Sequence, residues 1–147
     1  MYFIDPSLAD DFWNDRNRVQ DHFQRYGTDN IQHFLMTTQE FVESDEYNAL
    51  NDPGIVFIDG LHTEDQARFD YEAFENKIAD NGIFLFHDSL STAKTKSQAL
   101  YSPKLHYERR VKYFIDTLKL NRHLQVFDFP FANGLTLVRK LSPTSVP

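Results

Sequence analysis

Two runs, Ile55-Val56-Phe57-Ile58 and Ile83-Phe84-Leu85-Phe86, are apolar at every position. Side chains of a strand alternate between its faces, so a run of this kind suits a parallel strand covered by helices on both sides. Between the runs the period changes to a helical one. Thr63 and Gln66 have the spacing of a capping box, Ala67, Tyr71, Phe74 and Ile78 form one stripe, and Asn81-Gly82 closes it. Strand, helix and strand in this order predict a three-layer α/β fold.

The rest of the chain fits that prediction. Met1 to Ile4 reads as a strand ended by Pro6. Ser7 then caps a helix carrying Leu8, Phe12, Val19, Phe23 and Tyr26 up to Gly27. Ile31 to Met36 reads as a second strand, followed by a helical piece from Phe41 to Leu50 and the turn Asn51-Asp52-Pro53-Gly54. Ser89 to Lys104 is polar and without period, which suits a loop over a site or a long connection. Tyr107, Val111, Phe114 and Leu118 mark another helix. Leu124 to Phe129 and Leu135 to Arg139 are strands whose short linker implies an antiparallel hairpin, and the tail from Ser142 is expected to fray. With no repeat and no linker, residues 1–147 are expected to form one domain.

Composition removes several classes of function. The absence of cysteine excludes disulfides, thiolate metal sites and a cysteine nucleophile, and leans towards a reducing, cytoplasmic setting. The apolar runs are far shorter than the roughly 18 residues of a membrane span, and the start resembles no signal peptide. A net charge of −7 opposes general binding to nucleic acid or anionic membrane. The charge is uneven: residues 1–93 carry 5 basic and 19 acidic side chains, and residues 94–147 carry 10 and 3. Both signs suit a solvated surface; Lys94, Lys96, Lys104, Arg109 and Arg110 could alternatively rim a site for an anionic substrate, although Arg109 and Arg110 read most simply as part of an exposed helix face.

The chemistry concentrates at two strand ends, Asp59-Gly60-Leu61-His62 and His87-Asp88. If the two strands pair in parallel, two carboxylates and two imidazoles meet at one edge, where such folds place ligands. They could hold a divalent cation or act as a general acid and base without one; either aspartate could also cap the helix that follows. Asp5, at the end of the first strand, suits a ribose-binding acid or a local cap. The remaining histidines, His22, His33, His106 and His123, and Trp13 read as surface or packing residues.

The segment from Gly54 through Asp59 and His62 to Thr63, the helix with Asp70, and Asn81 to Asp88 together resemble the central portion of class I S-adenosylmethionine-dependent methyltransferases. More narrowly, the I-D-G-x-H and H-D strand ends are similar to those of macrocin-type sugar O-methyltransferases. The likeness runs from Phe3 to Val138. It implies a Rossmann-like, mostly parallel sheet with a C-terminal antiparallel hairpin, and O-methyl transfer from S-adenosylmethionine to a small-molecule hydroxyl. It also implies that Asp5, Thr37 and Thr38 touch the cofactor, that His62 is the general base, and that Asp59, His87 and Asp88 surround a divalent metal. Where the sugar enzymes carry an acidic ligand this chain has His87, and an imidazole moves the preference from Mg²⁺ towards Mn²⁺ or Fe²⁺.

One family element has no counterpart: the early strand with a glycine-rich E/D-x-G-x-x-x-G turn against the cofactor. The fold is accordingly expected to be truncated at its N-terminal side. Either the first strand lies against Ile55 to Ile58, or a gap remains that another chain fills, as in a homodimer. Two other uses of the residues stay open: a non-catalytic binding or assembly module of the same fold, and a metal-dependent hydrolase.

Overall fold

The structure is a computed structural model that describes residues 1–7, 11–91 and 109–141. The chain divides into two compact units, residues 1–49 with 96–105 and residues 50–95 with 106–147.

In the first unit, β1 (Tyr2–Ile4) and β2 (Gln32–Phe34) pair in parallel, with Ile4 opposite Phe34. The helix between them, α1 (Arg16–Gln24), starts later than its periodicity predicts. Asp15, not Ser7, is the cap, and its carboxylate accepts from the backbone N–H groups of Asn17 and Arg18. Ser7 lies at φ 55°, outside helical geometry, and residues 11–14 form turns. An aspartate directly before the first helical turn satisfies the exposed N–H groups there. Leu8, counted in the predicted stripe, lies outside the described residues. Two short helices follow, α2 (Thr38–Phe41) and α3 (Asp45–Ala49). Trp13 sits between Phe3 and Phe12, with ring centroids 5.1 and 4.8 Å away, so it is a packing residue.

The second unit contains a four-stranded sheet in the order β3 (Ile55–Ile58), β4 (Ile83–His87), β6 (Leu135–Lys140), β5 (Leu124–Phe129). The first pair is parallel; β6 runs antiparallel to β4 and forms the expected hairpin with β5. Among the described residues its helices are α4 (Glu64–Glu75) and α5 (Val111–Leu118). Tyr107, counted in the second helical stripe, lies outside the described residues, as does the tail from residue 142.

Both helices pack on one sheet face. Tyr71 of α4 and Phe114 of α5 meet Phe84 and Phe86, with centroid separations between 4.7 and 6.4 Å. Each fully buried aromatic of this kind contributes on the order of 1.5–3 kcal/mol. The opposite face departs from the prediction. Ile55 and Phe57 are 63% and 57% exposed, and β3 is an edge strand rather than a central one. Its fully apolar sequence implied two covers; among the described residues of this unit, the helices cover only one face. Among the described residues β1 pairs with β2 and β3 pairs with β4.

Candidate functional site

The parallel register pairs Ile58 with Phe86, so the chain leaves β3 and β4 side by side. Asp59 and His87 emerge together, and Oδ1 of Asp59 lies 2.7 Å from Nδ1 of His87. The loop after β3 turns back, held by the Thr63 N–H on the Leu61 carbonyl at 2.8 Å. It brings His62 Nε2 to 3.3 Å from the same Asp59 oxygen. The Thr63 side chain then caps α4 through the Gln66 N–H.

Asp88 is placed by different means. It adopts φ 52°, a left-handed conformation that aspartate tolerates better than most residues. The following residues are pinned to the hairpin: Ser89 N–H donates to the Gly134 carbonyl and Leu90 N–H to that of Asn133. The Ser89 hydroxyl lies 2.7 Å from that of Thr136, which donates to Asp128. Because Thr136 has a single hydroxyl proton, Ser89 is the donor of the first bond. Gly134, at φ 97°, permits this approach, since a Cβ there would lie 2.5 Å from a Leu90 carbon.

Asp88 is consequently buried beside both imidazoles, with its oxygens 3.8 Å from His62 Nε2 and 3.7 Å from His87 Nε2. Those separations exceed a hydrogen bond. Its close partner is Arg109, whose Nη1 lies 2.5 Å from Asp88 Oδ2; the two side chains are 14% and 6% exposed. Arg109 therefore does not belong to an exposed helix face, as its sequence context suggests. It precedes α5, and the next residue anchors it: the Arg110 N–H donates to the His62 carbonyl at 2.9 Å.

The electrostatics favour an ionised Asp59. Partial burial pushes its carboxyl up, but this is outweighed by the hydrogen bond from His62, the charge and hydrogen bond of His87 and the charge of His62, so it titrates below the ordinary carboxylate value. An ionised carboxylate only accepts, so His87 Nδ1, 2.7 Å away, carries a proton.

Asp59, His62 and His87 each offer a ligand atom within 4.8 Å of one another. One carboxylate with imidazoles fits a divalent ion of the Mn²⁺ or Fe²⁺ kind better than Mg²⁺, which prefers an all-oxygen shell. Asp88 stands at the same place with its carboxylate engaged by Arg109. An open depression of about 370 Å³, lined by Thr63, Glu64, Asp65 and Arg110, adjoins the cluster in sequence.

The other predicted residues lie in the first unit, described by itself. Asp5 follows β1 and Thr37 follows β2 at the carboxyl ends of paired strands. The Asp5 carboxylate accepts from Ser7 N–H at 2.5 Å, a local turn. Thr37 caps α2 in a capping box with Glu40, and Thr38 is the first residue of that helix. Lys94, Lys96, Lys104 and His106 lie outside the described residues. The sequence offers Arg109 as a possible rim residue or part of an exposed helix face, and its pairing with Asp88 is what the sequence does not reveal; no periodicity or motif marks an ion pair between residues this far apart in the chain.

A methyltransferase domain family matches residues 1–89, well over half of the chain. The chain belongs to that family. No curated protein matches it. Among solved structures it is similar to a protein from Corynebacterium glutamicum, with 15% identity and a TM-score of 0.65, covering 96% of this chain and 60% of that one. It is similar to the O-methyltransferase TomG from Streptomyces achromogenes, solved with S-adenosylmethionine, with 10% identity, a TM-score of 0.62, and 86% and 57% of the two chains covered. It is also similar to the mycinamycin methyltransferase MycE, solved with magnesium and S-adenosylhomocysteine, with 17% identity, a TM-score of 0.52, and 99% and 39% covered. These likenesses establish a Rossmann-like methyltransferase fold. The chain spans about 60% or less of the length of these three structures.

Proposed function

We propose that this chain carries out O-methyl transfer from S-adenosylmethionine to a hydroxyl of a small-molecule acceptor. The observation that carries the reading is the convergence of Asp59, His62, His87 and Asp88 at the carboxyl edge of β3 and β4 in a methyltransferase family member. The acceptor oxygen attacks the methyl carbon as the carbon–sulfur bond breaks, and S-adenosylhomocysteine leaves. His62, beside Asp59 and Asp88, takes the hydroxyl proton and becomes an imidazolium facing two carboxylates. Asp5 would accept from the donor's ribose hydroxyls, with Thr37 and Thr38 near its adenine. A divalent ion at Asp59 and His87, with Asp88 beside them, would lower the pKa of the acceptor hydroxyl.

The match over residues 1–89 runs across both compact units, which supports reading them as one methyltransferase-type domain. The net charge of −7 favours a small acceptor over nucleic acid. Among the described residues no helix is long and apolar enough to cross a membrane, and with no cysteine in the chain we assign it to the cytoplasm. The outer edge of β3, without a strand partner among the described residues, supports a homodimer.

Isothermal titration with S-adenosylhomocysteine tests the activity without knowledge of the acceptor. Saturable binding is expected, weakened at least tenfold in Asp5→Ala through loss of hydrogen bonds to a charged group, each on the order of 1.5–3 kcal/mol. No saturable heat with ligand at about 1 mM removes the reading for this chain.

A further inference from the structure

We infer that Arg109 sets the ion selectivity of the site by holding Asp88 out of the ligand set. The inference rests on reading Asp59 and His87 as cation ligands. Their atoms are 2.7 Å apart on half-exposed side chains, so an ion can replace the proton between them by moving only surface groups. Asp88 offers no such freedom. Its carboxylate is buried, it takes a charge-assisted bond from Arg109 at 2.5 Å, and the segment that follows it is fixed to the hairpin. A divalent ion drawn onto Asp88 would lie close to the guanidinium, where like charges in a poorly solvated place repel strongly.

The consequence follows from ligand chemistry. With Arg109 in place the available shell is one carboxylate and imidazole nitrogen, a set that suits Mn²⁺ and its transition-metal neighbours and offers little to Mg²⁺. With the guanidinium removed, a second carboxylate joins. The shell becomes mainly oxygen, and Mg²⁺ gains most. Arg109 is thus a specificity-determining residue that touches the metal ligands and not the reacting atoms. The backbone bond from Arg110 to the His62 carbonyl keeps it at its post.

The test is isothermal titration of the full chain with MnCl₂ and, separately, MgCl₂, on wild type, Arg109→Gln, Asp88→Asn, the double variant of these two, and Asp59→Asn, with circular dichroism as the check of folding. Wild type is expected to prefer Mn²⁺. Arg109→Gln should tighten Mg²⁺ by about tenfold or more, the scale on which groups touching metal ligands act, and Mn²⁺ by less. The double variant should lose that gain. Asp88→Asn alone should cost Mn²⁺ affinity less than Asp59→Asn does, because Asp88 does not coordinate in the wild type and its loss acts only through the unpaired Arg109. This last variant keeps the shape of Asp88 and serves if Arg109→Gln does not fold.

Folded Arg109→Gln with unchanged Mg²⁺ affinity overturns the inference, as does a loss of Mn²⁺ affinity in Asp88→Asn as large as that in Asp59→Asn. Absence of binding of either ion to every variant overturns both the inference and the cation reading. Binding to wild type with no response to Arg109→Gln overturns the inference alone. The methyl-transfer reading is judged separately by S-adenosylhomocysteine binding.

Discussion

At the scale of single residues, the four strand-end side chains were legible because parallel pairing carries them to one place whatever else the fold does. The separation in sequence was large, but the register fixed the separation in space. Arg109 was illegible for the complementary reason: it enters from a segment whose position no hydrophobic pattern determines. Tyr71 shows how a residue placed by pattern also acquires an unusual ionisation. It belongs to the stripe that covers Phe84 and Phe86, and burial, followed by the charge and hydrogen bond of Glu75, pushes its phenol from 10.0 up to about 12. The folded state thus holds this proton more tightly than the unfolded state. The stabilisation is fully present below pH 10.0 and is lost as pH rises towards about 12. Urea midpoints measured across this range should fall in the wild type and fall less in Tyr71→Phe, which has no proton to lose. Parallel slopes for the two proteins would show that Tyr71 does not set the alkaline limit.

At the scale of elements, the clearest successes were those with two independent signals. The stripe of α4 came with a capping threonine, and the closing strands came with a short linker between apolar runs. The start of α1 failed because Ser7 and Asp15 both offer caps, and the apolar period alone does not choose between them. The tie between the end of β4 and the hairpin was not visible in sequence either, since Ser89 and Thr136 are ordinary polar residues until β6 places them together. Their bond is buried and feeds Asp128, which also holds Lys119 at 2.6 Å. Thr136→Val keeps the shape but removes the acceptor of Ser89 and a donor to Asp128. We expect a loss of about 1–3 kcal/mol in equilibrium unfolding, the usual cost of a buried polar group left unsatisfied. Because this relay fixes the residues after Asp88, the same variant should also alter metal affinity. Ser89→Ala in the Thr136→Val background should restore part of the stability, since it removes the stranded hydroxyl. Additive losses in the pair would show that the two side chains are not coupled.

At the scale of the whole molecule, the sequence revealed the type of sheet but not which faces are covered. Two fully apolar strands predict two covers, but among the described residues of this unit the helices lie on one face, and on the other face β4 is half-buried and β3 exposed. On the face away from α4 and α5, Ile55 and Phe57 of β3 are joined across the sheet by Phe127 and Phe129 of β5, all substantially exposed. Scattered exposed apolar residues are common, whereas several on one sheet face beside a strand edge with no partner among the described residues favour association. A second copy can supply the missing partner, because two β3 edges can pair antiparallel about a twofold axis with each strand satisfying the other. Light scattering over a concentration series should therefore give a mass approaching twice 17.3 kDa. Ile55→Lys places a charge at the amino end of that edge, at the opposite end of the strand from Asp59, and should return the chain to monomer with little change in thermal stability. S-adenosylhomocysteine binding should persist in the variant if each copy holds its own donor, and should fall with dimer dissociation if the second copy completes the pocket. A wild type that stays monomeric at every concentration would leave the β3 edge without this role.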